Sequence, residues 1–388
     1  LAAFLFVSTF STNTFADIKM GIILGFTGPI ESLTPAMAAS AELAFKEASD
    51  SGSLLGGQSI SVERADSTCV DSAAATSAAE GLVSGGVVAI MGADCSGVTG
   101  AIATNVAVPN GVVMISPSAT SPGLTDLADN GYFFRTAPSD ARGGQILADI
   151  TKDRKIKSVA ITYTNNDYGK GLADVYAGAV KAHGIKVTAM AAHEDGKADY
   201  SAEIATLASA GGDAVAVIGY LDQGGKGIIQ GSLDSGAFDT FVLSDGMIGD
   251  TLTDAFGNDL NKSFGSLPGS TGKGANVFAD VAKAAGIDSS GPYTGESYDA
   301  AALITLAMQA GGKADRATVQ QNVMAVANAP GTKIYPGELK KALDLLAKGK
   351  AVDYEGATGV NLTEVGEAEG SFLEKEIKGG KFSTKKQR

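Results

Sequence analysis

"VVAIMGADCSGVTGAIATNVAVPNGVVMIS", residues 87–116, contains one complete structural unit. VVAIMG (87–92) and GVVMIS (111–116) are short, continuously apolar runs, the pattern of strands buried on both faces. GVTGAIATNVAV (97–108) lies between them and reads as a helix, and the proline and glycine at 109 and 111 mark the turn back. Two buried strands joined through a helix run parallel, so the stretch is a βαβ unit of an open parallel sheet.

The same alternation extends on both sides. IKMGIILG (18–25) and QSISVERAD (58–66) read as strands, and PAMAASAELAFKEAS (35–49) and VDSAAATSAAEGLVS (70–84) as helices, the first with Pro35 in its opening turn. After YFFRTAPSDAR (132–142) the pattern begins afresh, with strands expected at 157–164, 185–191, 213–220 and 240–245 and helices between them. Two successive runs of βα units imply two similar lobes. From about Ser266 the chain is mainly helical, clearest at 296–311 and 336–349, and these helices need a sheet face to cover. The chain is therefore expected to cross back, giving one lobe from 17–136 with 266–350 and a second from 137–265 with 351–388. YEGATG (354–359) reads as a further crossing and the basic tail KGGKFSTKKQR (378–388) as a solvated end.

A chain of 388 residues fits two domains better than one. Residues 1–16, LAAFLFVSTFSTNTFA, are apolar and then hydroxyl-rich and carry no charge, as in the later part of a secretory signal peptide cleaved before Asp17. No later apolar run has the length needed to cross a bilayer. The net charge of −13 opposes nucleic-acid binding, which needs a basic face to release counterions. Cys69 and Cys95, in an exported chain, are expected to form a disulfide, and with only His183 and His193 no metal cluster is expected.

Ligands of open parallel sheets sit beyond the carboxyl ends of the strands. The loops there are rich in glycine, hydroxyls and a few acids. MISPSATSPGL (114–124) places Ser118 and Thr120 directly after a buried strand, and Ser96 stands just before a helix, where its hydroxyl could cap that helix or join free N–H groups that attract an anion. Asp245 ends a strand and reads either as a helix cap or as the partner of an ammonium, while Tyr168 and Tyr220 read as rim packing or as walls for a small ligand. Enzyme readings find little support. GYLDQGGKG (219–227) and GSTGKG (269–274) lack phosphate-loop spacing, no G-x-S-x-G occurs, and no pair of acids is placed together for sugar hydrolysis.

IKMGIILGFTGP (18–29), DSTC (66–69), ADCSG (93–97), VVMISPSATSP (112–122), TNNDYGKG (164–171), FVLSDGM (241–247) and SYDAAAL (297–303) together resemble the branched-chain amino acid binding proteins of bacterial ABC transporters, a family of type I periplasmic binding proteins. The resemblance spans nearly all of the chain after residue 16. It implies an α/β fold of two Rossmann-like parallel-sheet lobes joined by three crossovers, with the ligand in the cleft between them. By this resemblance Ser96, Ser118, Ala119 and Thr120 hold the ligand's carboxylate, Asp245 takes its ammonium, and Tyr168 and Tyr220 flank it. The resemblance departs after Gly28-Pro29, where relatives carry an aromatic and this chain has IESLTP (30–35): Leu33 would wall the side-chain pocket and Glu31 would meet a polar or cationic group. The implied protein is a periplasmic, non-enzymatic monomer without a cofactor that hands its amino acid to a membrane permease. A sensor of another small carboxylate, amide or amine on the same fold is the alternative.

Overall fold

The computed structural model describes residues 17–388, so the signal-peptide reading of residues 1–16 lies outside the described residues. The first lobe is built from β1 (Ile18–Leu24), α1 (Thr34–Asp50), β2 (Ile60–Asp66), α2 (Ser72–Ser84), β3 (Ala89–Gly92), α3 (Ser96–Ile102), β4 (Val113–Ser116) and β5 (Phe133–Arg135). Its five strands are all parallel, in the order β2-β1-β3-β4-β5. Every residue of β3 and β4 is buried, as their unbroken apolar sequences require. Gly92 ends β3 at φ +126°, and a Cβ there would lie 2.1 Å from the Ile23 carbonyl oxygen, so only glycine turns the chain toward Asp94.

The second lobe repeats the plan with α4 (Asp140–Asp153), β6 (Ser158–Thr164), α5 (Asp167–Ala182), β7 (Lys186–His193), α6 (Ser201–Ala210), β8 (Ala214–Ile218), α7 (Gly224–Ser235), β9 (Phe241–Leu243), α8 (Asp250–Phe256) and β10 (Phe264–Pro268). The parallel order β7-β6-β8-β9-β10 matches that of the first sheet strand for strand. The helical region is expected from about Ser266, but residues 264–268 form β10. A five-residue run holding Gly265 and Pro268 carries almost no strand propensity, but Gly265 lets β10 lie against β9, where a Cβ would come within 2.3 Å of the Leu243 carbonyl oxygen.

The chain then returns to the first lobe with α9 (Lys273–Ala284), α10 (Thr294–Gly311), α11 (Arg316–Ala327), β11 (Thr332–Ile334), α12 (Leu339–Leu346) and β12 (Val352–Tyr354). α10 is buried almost all round, packing on α1, α11, β3 and β4. β11 and β12 pair as a separate small parallel sheet. The chain passes between the two large sheets at 136–139, 269–272 and 355–371. β13 (Phe372–Lys378) and β14 (Lys381–Gln387) complete the second sheet as an antiparallel edge. The basic tail is thus an ordered strand and not a solvated end. Its lysines suit an exposed edge that must not pair with another chain, and Arg388 locks it through Asp153 at 2.7 Å and Glu374 at 2.5 Å.

Asp299 on α10 anchors the third crossing. Its carboxylate accepts from Tyr354 Oη (2.9 Å), Ala357 N–H (2.7 Å), Thr358 N–H (3.0 Å) and Thr358 Oγ1 (2.7 Å). One turn earlier, Glu296 is buried without an ion pair among the described residues; burial first, and Asp299 second, push its carboxyl up to about 8. An acid raised in the folded state contributes its stability in full below its unfolded value near 4.5. That contribution is lost as pH rises toward 8. Chemical denaturation of the wild type should therefore show a midpoint that falls between pH 5 and 8, and Glu296→Gln should flatten this limb.

Candidate functional site

The cleft lies at the carboxyl ends of both sheets. On the first-lobe side a disulfide joins Cys69, after β2, to Cys95, after β3. Asp94 beside it is fully buried; burial raises its carboxyl, while bonds from Gly25 N–H (2.6 Å), Cys95 N–H (2.9 Å) and Ser67 Oγ (3.0 Å) oppose that shift. Asp94 therefore fastens three loops together. Ser118 Oγ donates to the Asp94 carbonyl at 3.1 Å, and Ser116 Oγ accepts from Ala119 N–H at 2.9 Å. Ser96 opens α3 but does not cap it. The cap position is Cys95, which makes no side-chain cap bond, and Ser96 Oγ accepts from Ser121 N–H at 3.1 Å. Thr120 is buried, with its hydroxyl beside the Asp140 carboxyl.

The second-lobe wall centres on Asp245, in the single turn after β9. Its Oδ1 accepts from Tyr168 Oη at 2.7 Å, and its Oδ2 accepts from Tyr293 Oη, which comes from the first lobe. The Tyr168 hydroxyl also lies 2.9 Å from Ser244 Oγ and accepts from Gly246 N–H at 3.2 Å. Burial raises the Asp245 carboxyl, and the two phenols pull it back down. Among the described residues no lysine, arginine or histidine forms an ion pair with it. Tyr168 and Tyr220 stack with ring centroids 5.2 Å apart and planes at 17°.

These groups enclose a narrow space lined by Ile30, Leu33, Met37, Ser96, Ser118, Tyr168, Tyr220, Asp245 and Tyr293. Five of the residues singled out in the sequence for cleft polar or aromatic roles, Ser96, Ser118, Tyr168, Tyr220 and Asp245, thus face one another, and Leu33 lies beside them. Ala119 and Thr120 are buried in the loop behind. Glu31 is elsewhere: it is exposed, its carboxylate accepts from Gly28 N–H at 3.3 Å, and it does not line the space. The lobes also touch at the rim, where Asp222 accepts from Ser32 N–H at 2.9 Å and Ser121 Oγ donates to the Asp167 carbonyl at 3.1 Å.

Three contributors escaped the sequence reading. Ile30 and Met37 line the apolar end, and Tyr293 sits at the turn before α10 with φ +60°. Asp140, at the start of α4, does not line the space but is fully buried near Asp245; burial and then the Asp245 charge push its carboxyl well up. The helix-start signal Pro138-Ser139-Asp140 was visible, but nothing local tells that the helix begins near Asp245. His193 is buried with Nδ1 2.8 Å from Thr162 Oγ1, and burial lowers it to about 4; it packs behind Gly219 and Gly224 and does not line the cleft. A roomier groove runs between α6 and α7, lined by Tyr200, Ile204, Gly227 and Gly231. Apart from Tyr200 and Ile204 its lining is exposed or half-buried, so the buried polar groups gather in the cleft.

The model of the family described as periplasmic binding protein matches residues 17–342. A Leu/Ile/Val-binding protein homolog 1 of Brucella melitensis is 30% identical over 80% of this chain and 82% of that protein. Homolog 3 of the same organism is 32% identical over 56% of this chain, a stretch equal to 58% of that relative. Among solved structures, a leucine-binding protein from Thermotoga maritima superposes with a TM-score of 0.80 at 21% identity, covering 95% of this chain and 98% of that one.

Proposed function

Since the chain belongs to the periplasmic binding protein family, we propose that it captures an L-amino acid with an aliphatic side chain between its lobes and delivers it to the permease of an ABC transporter. The observation that carries this reading is the pairing of opposite electrostatic needs across one narrow space. Asp245 is a buried carboxylate held by two phenols and no cation among the described residues, and it calls for an ammonium. Opposite it, Ser96, whose Oγ accepts from Ser121 N–H and keeps its own proton, offers a neutral donor beside Ser118, together with the first-turn N–H groups of α3, and these suit a carboxylate. Ile30, Leu33 and Met37 leave an apolar end for the side chain.

The Brucella relatives named for leucine, isoleucine and valine support that class. On this reading the protein acts as a periplasmic monomer, requires no cofactor and catalyses no reaction, as membership of a binding-protein family supports. Capture at micromolar level needs about 8 kcal/mol, within reach of several charge-assisted hydrogen bonds net of ordering costs. Calorimetry with a panel of L-amino acids is the test. Leucine, isoleucine or valine should bind most tightly and glutamate and lysine at least tenfold less; heat only from sugars, amides or aromatic acids would reject the reading.

A further inference from the structure

We infer that Arg135 is a positioning residue that holds the loop 118–121 in its ligand-binding shape and ties that loop to the third crossing between the lobes. The inference rests on the cleft reading above. Arg135 ends β5 and is among the largest fully buried side chains. All of its guanidinium donors are used. Nη1 donates to the carbonyls of Ala119 at 3.0 Å and Ser121 at 2.9 Å, Nη2 donates to Thr125 Oγ1 at 2.9 Å and Glu367 Oε2 at 2.5 Å, and Nε reaches the same Glu367 oxygen at 3.2 Å. The intervening carbonyl, that of Thr120, accepts from Asp140 N–H at 2.8 Å.

With three successive carbonyls turned inward, the loop presents the other side of its backbone. Ala119 N–H and Ser121 N–H are taken by Ser116 Oγ and Ser96 Oγ, which leaves Thr120 N–H without a protein acceptor among the described residues and the Thr120 hydroxyl beside the Asp140 carboxyl. The arginine therefore decides which groups of this loop remain for a guest. Its other arm grips the third crossing. Arg135 N–H donates to the Gly366 carbonyl at 3.0 Å, Ala368 N–H donates to the Arg135 carbonyl at 3.0 Å, and Glu367 receives the guanidinium, so a rotation of that crossing pulls on the ligand loop. A lysine, with one point charge and no planar fork, cannot hold two carbonyls and a carboxylate in this geometry.

The test uses the full chain as wild type, Arg135→Lys and Glu367→Gln, with two readouts: amide hydrogen exchange in buffer alone, and calorimetry with L-leucine. Arg135→Lys is expected to speed exchange at 118–121 at least tenfold while β1, β3 and β4 stay within twofold, and to weaken L-leucine at least tenfold. Glu367→Gln, which keeps the carbonyl contacts and loses the ion pair, should move both readouts about threefold and serves alone if Arg135→Lys does not fold. Exchange that rises uniformly through the first sheet, or 118–121 exchange within twofold of wild type, overturns the inference. So does unchanged L-leucine affinity in the variants of a wild type that binds. A wild type that ignores L-leucine tells against the proposed function, and the exchange comparison still judges Arg135.

Discussion

Asp245→Ala is expected to weaken L-leucine by roughly 30-fold to more than 1,000-fold, because truncating one partner of a buried charge pair costs about 2–5 kcal/mol and each 1.4 kcal/mol is a factor of ten. The carboxylate is 7% exposed, has phenol donors on both oxygens and forms no ion pair among the described residues, so the bound ammonium would neutralise it. Asp245→Asn keeps an acceptor for one phenol and removes the charge, and should lose at least tenfold. Acidification supplies an independent check. Burial raises the Asp245 carboxyl, so wild-type affinity should begin to fall above the usual carboxylate range as the group takes up a proton. The residual affinity of Asp245→Asn should show no such slope. Calorimetry between pH 4 and 7 reads both effects.

The second large effect concerns the first-lobe wall. Replacing Cys69 and Cys95 with serine opens a cross-link between residues 26 apart in sequence, and chain entropy puts the loss for such a loop at about 3.5 kcal/mol. The bond also holds the turn bearing Ser67 against the turn bearing Asp94, Cys95 and Ser96. The doubly substituted protein should unfold at lower guanidinium concentration. Its L-leucine affinity should fall as well, since the helix start that carries Ser96 is no longer pinned. Reduction of the wild type under native conditions should have the same effect on both readouts.

Much of the architecture was legible because the first sheet is written in fully buried parallel strands. VAIMG and VVMIS leave no polar face, so their pairing with a covering helix on each side follows from composition alone. The repeat of the pattern after residue 142 announced the second lobe. β10 and β14 were not legible for opposite reasons. The first is five residues interrupted by glycine and proline, and the second is a lysine-rich edge whose strand character comes from its partner β13 and from the Arg388 ion pairs. In the cleft, hydroxyls and acids at strand ends could be located because the sheet direction puts those ends together. Glu31 shows the limit of that rule: it lies in the right loop, yet the loop turns it outward toward Gly28 N–H. Tyr293, from the turn before α10, reaches Asp245 only through the return of the chain, and Asp140, at the start of α4, only through the first crossing between the lobes.

The proposed capture requires that opposite lobes hold opposite ends of one zwitterion. Calorimetry of the wild type with L-leucine, with 4-methylpentanoate, which lacks the ammonium, and with 3-methylbutylamine, which lacks the carboxylate, measures this directly. Both truncated compounds should bind at least 100-fold more weakly than L-leucine, and Asp245→Ala should narrow the gap between L-leucine and 4-methylpentanoate to within about tenfold. Binding of either truncated compound as tightly as L-leucine, or a gap unaltered by Asp245→Ala, would contradict the account.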